Sequence, residues 1–265
     1  MTPLKLAYLS LTRHRFSTII TVLALGLSIS CAGILLRLYL LSESRFSAMG
    51  KAGDAIVGAK AGGIEIMLGS LNGEGKYPDF LPYKLFESLR SDQNVKFEDG
   101  QSLQPHYIKS IIPFLYFGKY KGFRVVGTDD SFLHRPTTAD TLTLKEGRWF
   151  KAANDIVVGA TFAKSEQLHI GDRIKVNPWI GESILSNEFE FEVSGILQAT
   201  ETRWDYMGFA NFVEAQRILG EYPAILSRYS IWGSQVLNYF LVYVNNGGFE
   251  KLEALINKRT VGQSD

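Results

Sequence analysis

From Phe16 to Leu36 the chain carries no charged side chain; Arg13 and Arg15 precede the run and Arg37 is the first charge after it. At about 1.5 Å per helical residue such a run reaches roughly 30 Å, the hydrocarbon thickness of a bilayer. In lipid its backbone polar groups must be satisfied within the segment, which a helix does. Apolar residues resume after Arg37 with Leu38-Tyr39-Leu40-Leu41, so the pattern predicts a transmembrane helix over 16–41. A cleaved secretory signal has a shorter apolar part than this. Ser30-Cys31 suggests a lipoprotein cleavage site, but position 28 is Ser where Leu is preferred. The mature chain would then open on the apolar Ala32-Gly33-Ile34-Leu35-Leu36 instead of a polar tether. A buried helix of a soluble protein fits less well, since those rarely lack a polar stripe over so many turns.

Upstream, Leu4, Ala7, Leu11 and Tyr8 recur at helical spacing after Pro3, with Lys5, Ser10 and Arg13 off that face. Residues 1–15 therefore read as an amphipathic segment lying on the inner membrane surface. Lys5, Arg13 and Arg15 place this flank in the cytoplasm and residues 42–265 outside. Within the span Ala24, Ser28 and Ala32 recur every fourth residue, as do Gly26 and Ser30. Small residues at that spacing admit a second helix closely, so these five are the candidate packing positions in the membrane.

Beyond the span, periodicity divides the chain into three. Over 42–104 it gives a strand at Asp54–Gly58, a Gly-rich loop over 60–79, a helix from Pro82 to Arg90 and a strand over Val95–Leu103. Over 105–200 strands dominate: Ile108–Gly118, Gly122–Gly127, Ile156–Val158, Arg173–Val176 and Phe189–Leu197, with one short helix at Thr161–Leu168. Over 201–265 mixed structure returns, with strand Gly208–Phe212, helix Val213–Leu219, strand Tyr239–Val244 and helix Phe249–Lys258. The fold class is α+β, an α/β piece in two parts around a β-rich insert. The aromatic run Ile111–Phe117 reads as a buried strand, with Pro113 placing it near an edge.

Composition narrows the chemistry. The 265 residues carry a net charge of +1, which offers no electrostatic case for nucleic acid. The single cysteine, Cys31, lies in the span, so the outer part holds no disulfide, as is ordinary for a bacterial periplasmic domain. Gly69-Ser70-Leu71-Asn72-Gly73-Glu74-Gly75-Lys76-Tyr77 imitates a phosphate-binding loop but ends on Tyr where the magnesium-binding hydroxyl belongs. The four histidines, 14, 106, 134 and 169, show no metal-ligand spacing, and no nucleophile elbow occurs. Asp129-Asp130 reads as a pair of solvated turn carboxylates. No catalytic, cofactor or metal residue is expected.

Three blocks carry a resemblance. One is Leu9–Thr21 with Leu25-Gly26-Leu27-Ser28-Ile29. The next runs Leu144-Lys145-Glu146-Gly147-Arg148-Trp149-Phe150, Asp155–Ala163, Leu168–Ile174 and Phe191–Leu197. The last is Phe209–Leu219. In this order they resemble the MacB/FtsX-like permeases, the mechanotransmission class of ABC transporters. The resemblance implies a bacterial inner-membrane permease subunit whose porter-like α/β subdomain surrounds a β-rich insert. It also implies a partner ATPase that holds ATP and Mg, a second permease copy or paralogue, and a periplasmic protein, lipoprotein, drug or peptide as cargo. Such permeases have three further membrane helices after this domain, so the chain is expected to be part of a longer one. The competing reading is a single-pass anchored binding or sensor protein with no ATPase partner.

Overall fold

The computed structural model describes residues 15–50, 53–59, 79–91, 95–96, 102–103, 108–135, 142–181, 183–227 and 235–245. The amphipathic segment before Arg15, the helix expected at Phe249–Lys258 and all of the expected loop but Asp79 lie outside them. The chain divides into two compact units, Met1–Met49 and Gly50–Asp265.

The described residues of the first unit belong to one helix, α1 (Arg15–Gly50), whose apolar part runs from Phe16 to Leu40. It continues beyond the expected end at Leu41 through Ser42-Glu43-Ser44-Arg45, because nothing in that polar stretch breaks a helix: Pro is absent, and the next Gly is the terminal Gly50.

The second unit is α+β and built on one ten-stranded sheet. Strand β1 (Ala55–Gly58) is followed by β2 (Leu81–Pro82) and α2 (Tyr83–Arg90), for which Pro82 stands as N-cap. The strand expected over Val95–Leu103 is instead two short strands, β3 (Val95–Lys96) and β4 (Ser102–Leu103), paired antiparallel with each other. Next come β5 (Ile108–Tyr120), β6 (Phe123–Thr128), β7 (Leu144–Gly147), β8 (Asp155–Val158) and α3 (Ala160–Glu166). Strands β9 (Arg173–Ile180), β10 (Ser183–Ile184), β11 (Phe189–Leu197) and β12 (Met207–Asn211) lead into α4 (Phe212–Gly220) and α5 (Pro223–Leu226). Strands β13 (Val236–Leu237) and β14 (Tyr239–Val244) end the described chain, β13 pairing with β2 outside the main sheet.

Six strands of the sheet close on themselves. Strand β5 pairs with β6, β6 with β12, β12 with β8, β8 with β11, β11 with β9, and β9 again with β5 through Gly118↔Pro178 and Lys119↔Asn177. The β6–β12 and β8–β11 pairs are parallel and the others antiparallel. Closure leaves no free edge in this ring. Inside it, Phe117 of β5 meets Phe191 of β11 with ring centroids 5.8 Å apart, both side chains buried. Strands β14 and β1 form a wing on the first half of β5, in the order β1-β14-β5. Strands from all three expected segments thus share one sheet, and the expected boundary at residue 200 falls between β11 and β12, two members of the ring.

Helix α4 packs across β5, β6 and β12, and two local features set it there. Asn211 caps it by accepting the amide of Val213 at 2.9 Å. Gly127 of β6 lacks the Cβ that would strike Ala215, so helix and sheet approach closely. Pro113 is opposite Phe240 of β14, while β6 begins pairing only at Leu115. The run Ile111–Phe117 is buried as expected, inside the sheet, with Pro113 just past the reach of β6.

Candidate functional site

The helix carries the membrane positions. Described side chains of α1 are exposed from Phe16 to Leu40 apart from half-buried Thr18. Ala24, Ser28 and Ala32 follow one stripe; Gly26 and Ser30, two residues on, are turned by about 200°. The five positions are therefore two narrow stripes on opposite sides of the helix and do not form one patch. The Ser28 hydroxyl donates to the carbonyl of Ala24 at 2.8 Å, and Thr21 donates likewise to Ser17. Both hydroxyls are satisfied inside the helix, as a lipid setting requires. A Cβ built on Gly26 meets nothing within 4 Å. Arg15 opens α1; Arg13 lies outside the described residues.

In the second unit the residues that fix the sheet gather at two places. The first is the block around β7 and β8. Arg148 forms a bidentate ion pair with Asp155, one of its hydrogen bonds being 3.2 Å. Asp155 also accepts the amides of Lys151 and Ala152 at 2.9 Å each. Burial works against the Asp155 carboxylate, but Arg148 and the two amides outweigh it and hold its pKa below the usual range. Gly147 turns the chain into this block with φ +83°, and a Cβ there would strike the carbonyl of Ser194. The amide of Arg148 donates to that same carbonyl at 2.8 Å. The sequence block Lys145–Phe150 thus has a physical cause: a left-handed turn, an ion pair and a contact of half-buried Trp149 with buried Phe150, ring centroids 4.7 Å apart.

The second place is where β14 leaves β5. Phe114 stacks on Tyr239 at 4.9 Å and 5°, and on Trp204 at 5.7 Å. Tyr116 lies 6.0 Å from Tyr239. Burial, followed by Tyr116, pushes the Tyr239 phenol well above its usual pKa, against the opposing charges of Arg203 and Arg124. Arg124 lies over Trp179 at 4.9 Å, and Lys119, directly across the strands from it, lies over the same ring at 3.8 Å. Burial and then the Arg124 charge lower the Lys119 pKa. Asn238, buried in the joint between β13 and β14, accepts the amide of Tyr116 on Oδ1 at 2.7 Å and donates its own amide to the carbonyl of Phe114 at 3.0 Å.

None of these residues was singled out from the sequence as a site residue, although Gly147 to Phe150 and Asp155 stand in the block that carries the resemblance and Phe114 and Tyr116 in the aromatic run. A polar Asn between Val236-Leu237 and Tyr239-Phe240 is the signal that could have marked position 238. Asp129, read as a solvated turn carboxylate, accepts the amide of Ser131 at 3.1 Å and pairs with Arg90 of α2 at 2.6 Å. Among the described residues no three His, Cys, Asp or Glu gather where a metal could sit. The arrangement supplies stiffness: a closed ring, a wing joined to it and buried polar groups that pin the joints.

Comparison with known proteins adds the family. None of the curated proteins compared matches the chain. Among solved structures, the extracellular domain of the noncanonic ABC-type transporter YknZ from Gram-positive bacteria aligns at 9% identity and a TM-score of 0.39, covering 75% of this chain and 86% of that one. A domain of a protein described as a permease from Porphyromonas gingivalis aligns at 12% identity and 0.31, covering 62% and 76%. The assignment rests on the sequence profile of the MacB-like periplasmic core domain, which matches residues 18–253 and so spans most of the apolar helix and every described strand. The chain belongs to the MacB-like periplasmic core domain family and is a component of an ABC-type permease.

Proposed function

We propose that this chain is the permease subunit of a bacterial inner-membrane complex driven by ATP, and that it passes nucleotide-driven movement of its membrane helix to the periplasmic domain. The observation that carries the reading is the reach of the family profile: its match over residues 18–253 takes in both the apolar helix and the sheet. Residues 1–15 are cytoplasmic in this reading and residues 42–265 periplasmic. The α/β part around the wing receives the movement, and the β-rich part recruits a periplasmic protein, lipoprotein, drug or peptide. ATP and Mg belong to the partner ATPase, and a second permease copy or paralogue completes the membrane core. No chemistry is assigned to this chain.

The test is affinity purification from native membranes in mild detergent, with and without a non-hydrolysable ATP analogue. An ATPase subunit should co-purify, and protease cleavage of the periplasmic domain should change with nucleotide. Recovery of the chain with no ATPase would leave the single-pass anchored sensor or binding protein in its place. Orientation is checked separately. Lys164→Cys, on the exposed side of α3, should react with an impermeant maleimide added from the periplasmic side; protection until the membrane is lysed would reverse the topology.

A further inference from the structure

Strand β5 changes partners along its length. On one edge Ile108–Phe114 pairs with β14 and Gly118–Lys119 pairs with β9. On the other edge β6 pairs from Leu115 to Tyr120, with a bulge between Tyr116 and Gly118 that bends the strand into the ring. Tyr116 therefore falls between the stretches paired with β14 and with β9, and its amide donates to a side chain there. That side chain is Asn238: Oδ1 accepts from Tyr116, the Asn238 amide donates to Phe114, and Nδ2 donates to the carbonyl of Asp79 at 3.4 Å, just before β2. Asn238 is 1% exposed, so these bonds are shielded from water.

We propose that Asn238 is a positioning residue that clips the β1–β14 wing to the ring, so that the two open as one cooperative unit. Its use in transmitting movement rests on the function proposed above; the coupling itself does not. Asn238 adds to the ladder that already holds the wing to β5, from Tyr239↔Phe114 to Val244↔Ile108, and to the stacking of Phe114 on Tyr239. Gln216 of α4 donates to the carbonyl of Val236 at 3.1 Å, and the Arg90–Asp129 pair has its arginine half in solvent. An exposed ion pair adds little. Without Oδ1 the buried Tyr116 amide loses the acceptor that Asn238 supplies, and the junction at which the wing leaves the ring is weakened more than the ring itself.

Hydrogen exchange followed by mass spectrometry on the full chain in lipid nanodiscs, across a urea series, decides the matter. In the wild type, peptides from β14 and from β8 and β12 should lose protection at the same urea concentration. In Asn238→Ala, peptides covering Tyr116 and β14 should exchange about 10- to 100-fold faster while β8 and β12 keep their rates. Equal acceleration of wing and ring in the variant would overturn the proposal, since Asn238 would then add only overall stability. Separate transitions for wing and ring in the wild type would overturn it as well, and that result needs no variant to fold. Neither outcome depends on an ATPase, so loss of the permease reading leaves the coupling standing.

Discussion

At the scale of single residues, Asp155 shows how one carboxylate can order a turn. It holds Arg148 and two backbone amides at the start of β8, and its own exposure is 3%. Because its pKa is lowered on folding, its stabilisation is complete above the unfolded carboxylate value of about 4 and fades as pH falls through that value and below. Asp155→Ala should cost on the order of 1–2 kcal/mol at pH 7, a modest figure because Lys151 and Ala152 are exposed and water can take their amides. Urea melts of wild type and variant at pH 7 and pH 3.5 check this. The gap should narrow at the lower pH, and a gap that widens would assign the stabilisation to something other than the ionised carboxylate. In the sequence, Arg148 and Asp155 stood in one matching block without any sign that they touch. Side chains seven positions apart meet because the turn after Phe150 folds the chain back.

At the scale of elements, α1 and α4 obey different constraints. Helix α4 is amphipathic: Phe212, Ala215, Ile218 and Leu219 are buried, and Glu214, Arg217 and Glu221 pair outside. Its 3.6-residue period placed it correctly to within a residue at each end. Asn211→Ala should remove the cap and cost about 1 kcal/mol, read as a lower urea midpoint with an unchanged slope. Helix α1 is apolar on every side, so period gives no facing direction. The Gly26→Leu variant tests its packing, because a Cβ built there meets nothing within 4 Å and leucine favours the helix over glycine. In a packed permease helix the change should abolish recovery of the assembled complex while the chain stays in the membrane. Unchanged assembly would assign that face of α1 to lipid.

At the scale of the whole molecule, the ring constrains how the chain can be cut. Residues 105–200 supply β5 through β11 but not β12, the strand between β6 and β8, nor β14, the partner of β5. A fragment of residues 105–200 should therefore lack a cooperative melt by circular dichroism and be degraded quickly by protease. A fragment of residues 42–265 should melt cooperatively. A folded 105–200 fragment would show that the insert closes without β12. The sequence by itself determined the apolar span, the main strands, three helices of the second unit and the family, because each is written in local periodicity or in blocks of neighbouring residues. Only the tertiary structure decided that β5 pairs with β9 to close a ring, that β3 and β4 are two strands, and that Asn238 meets Tyr116. Those facts depend on which distant segments pair and in what register, and the alternation along one strand states which face is buried without naming the strand beside it.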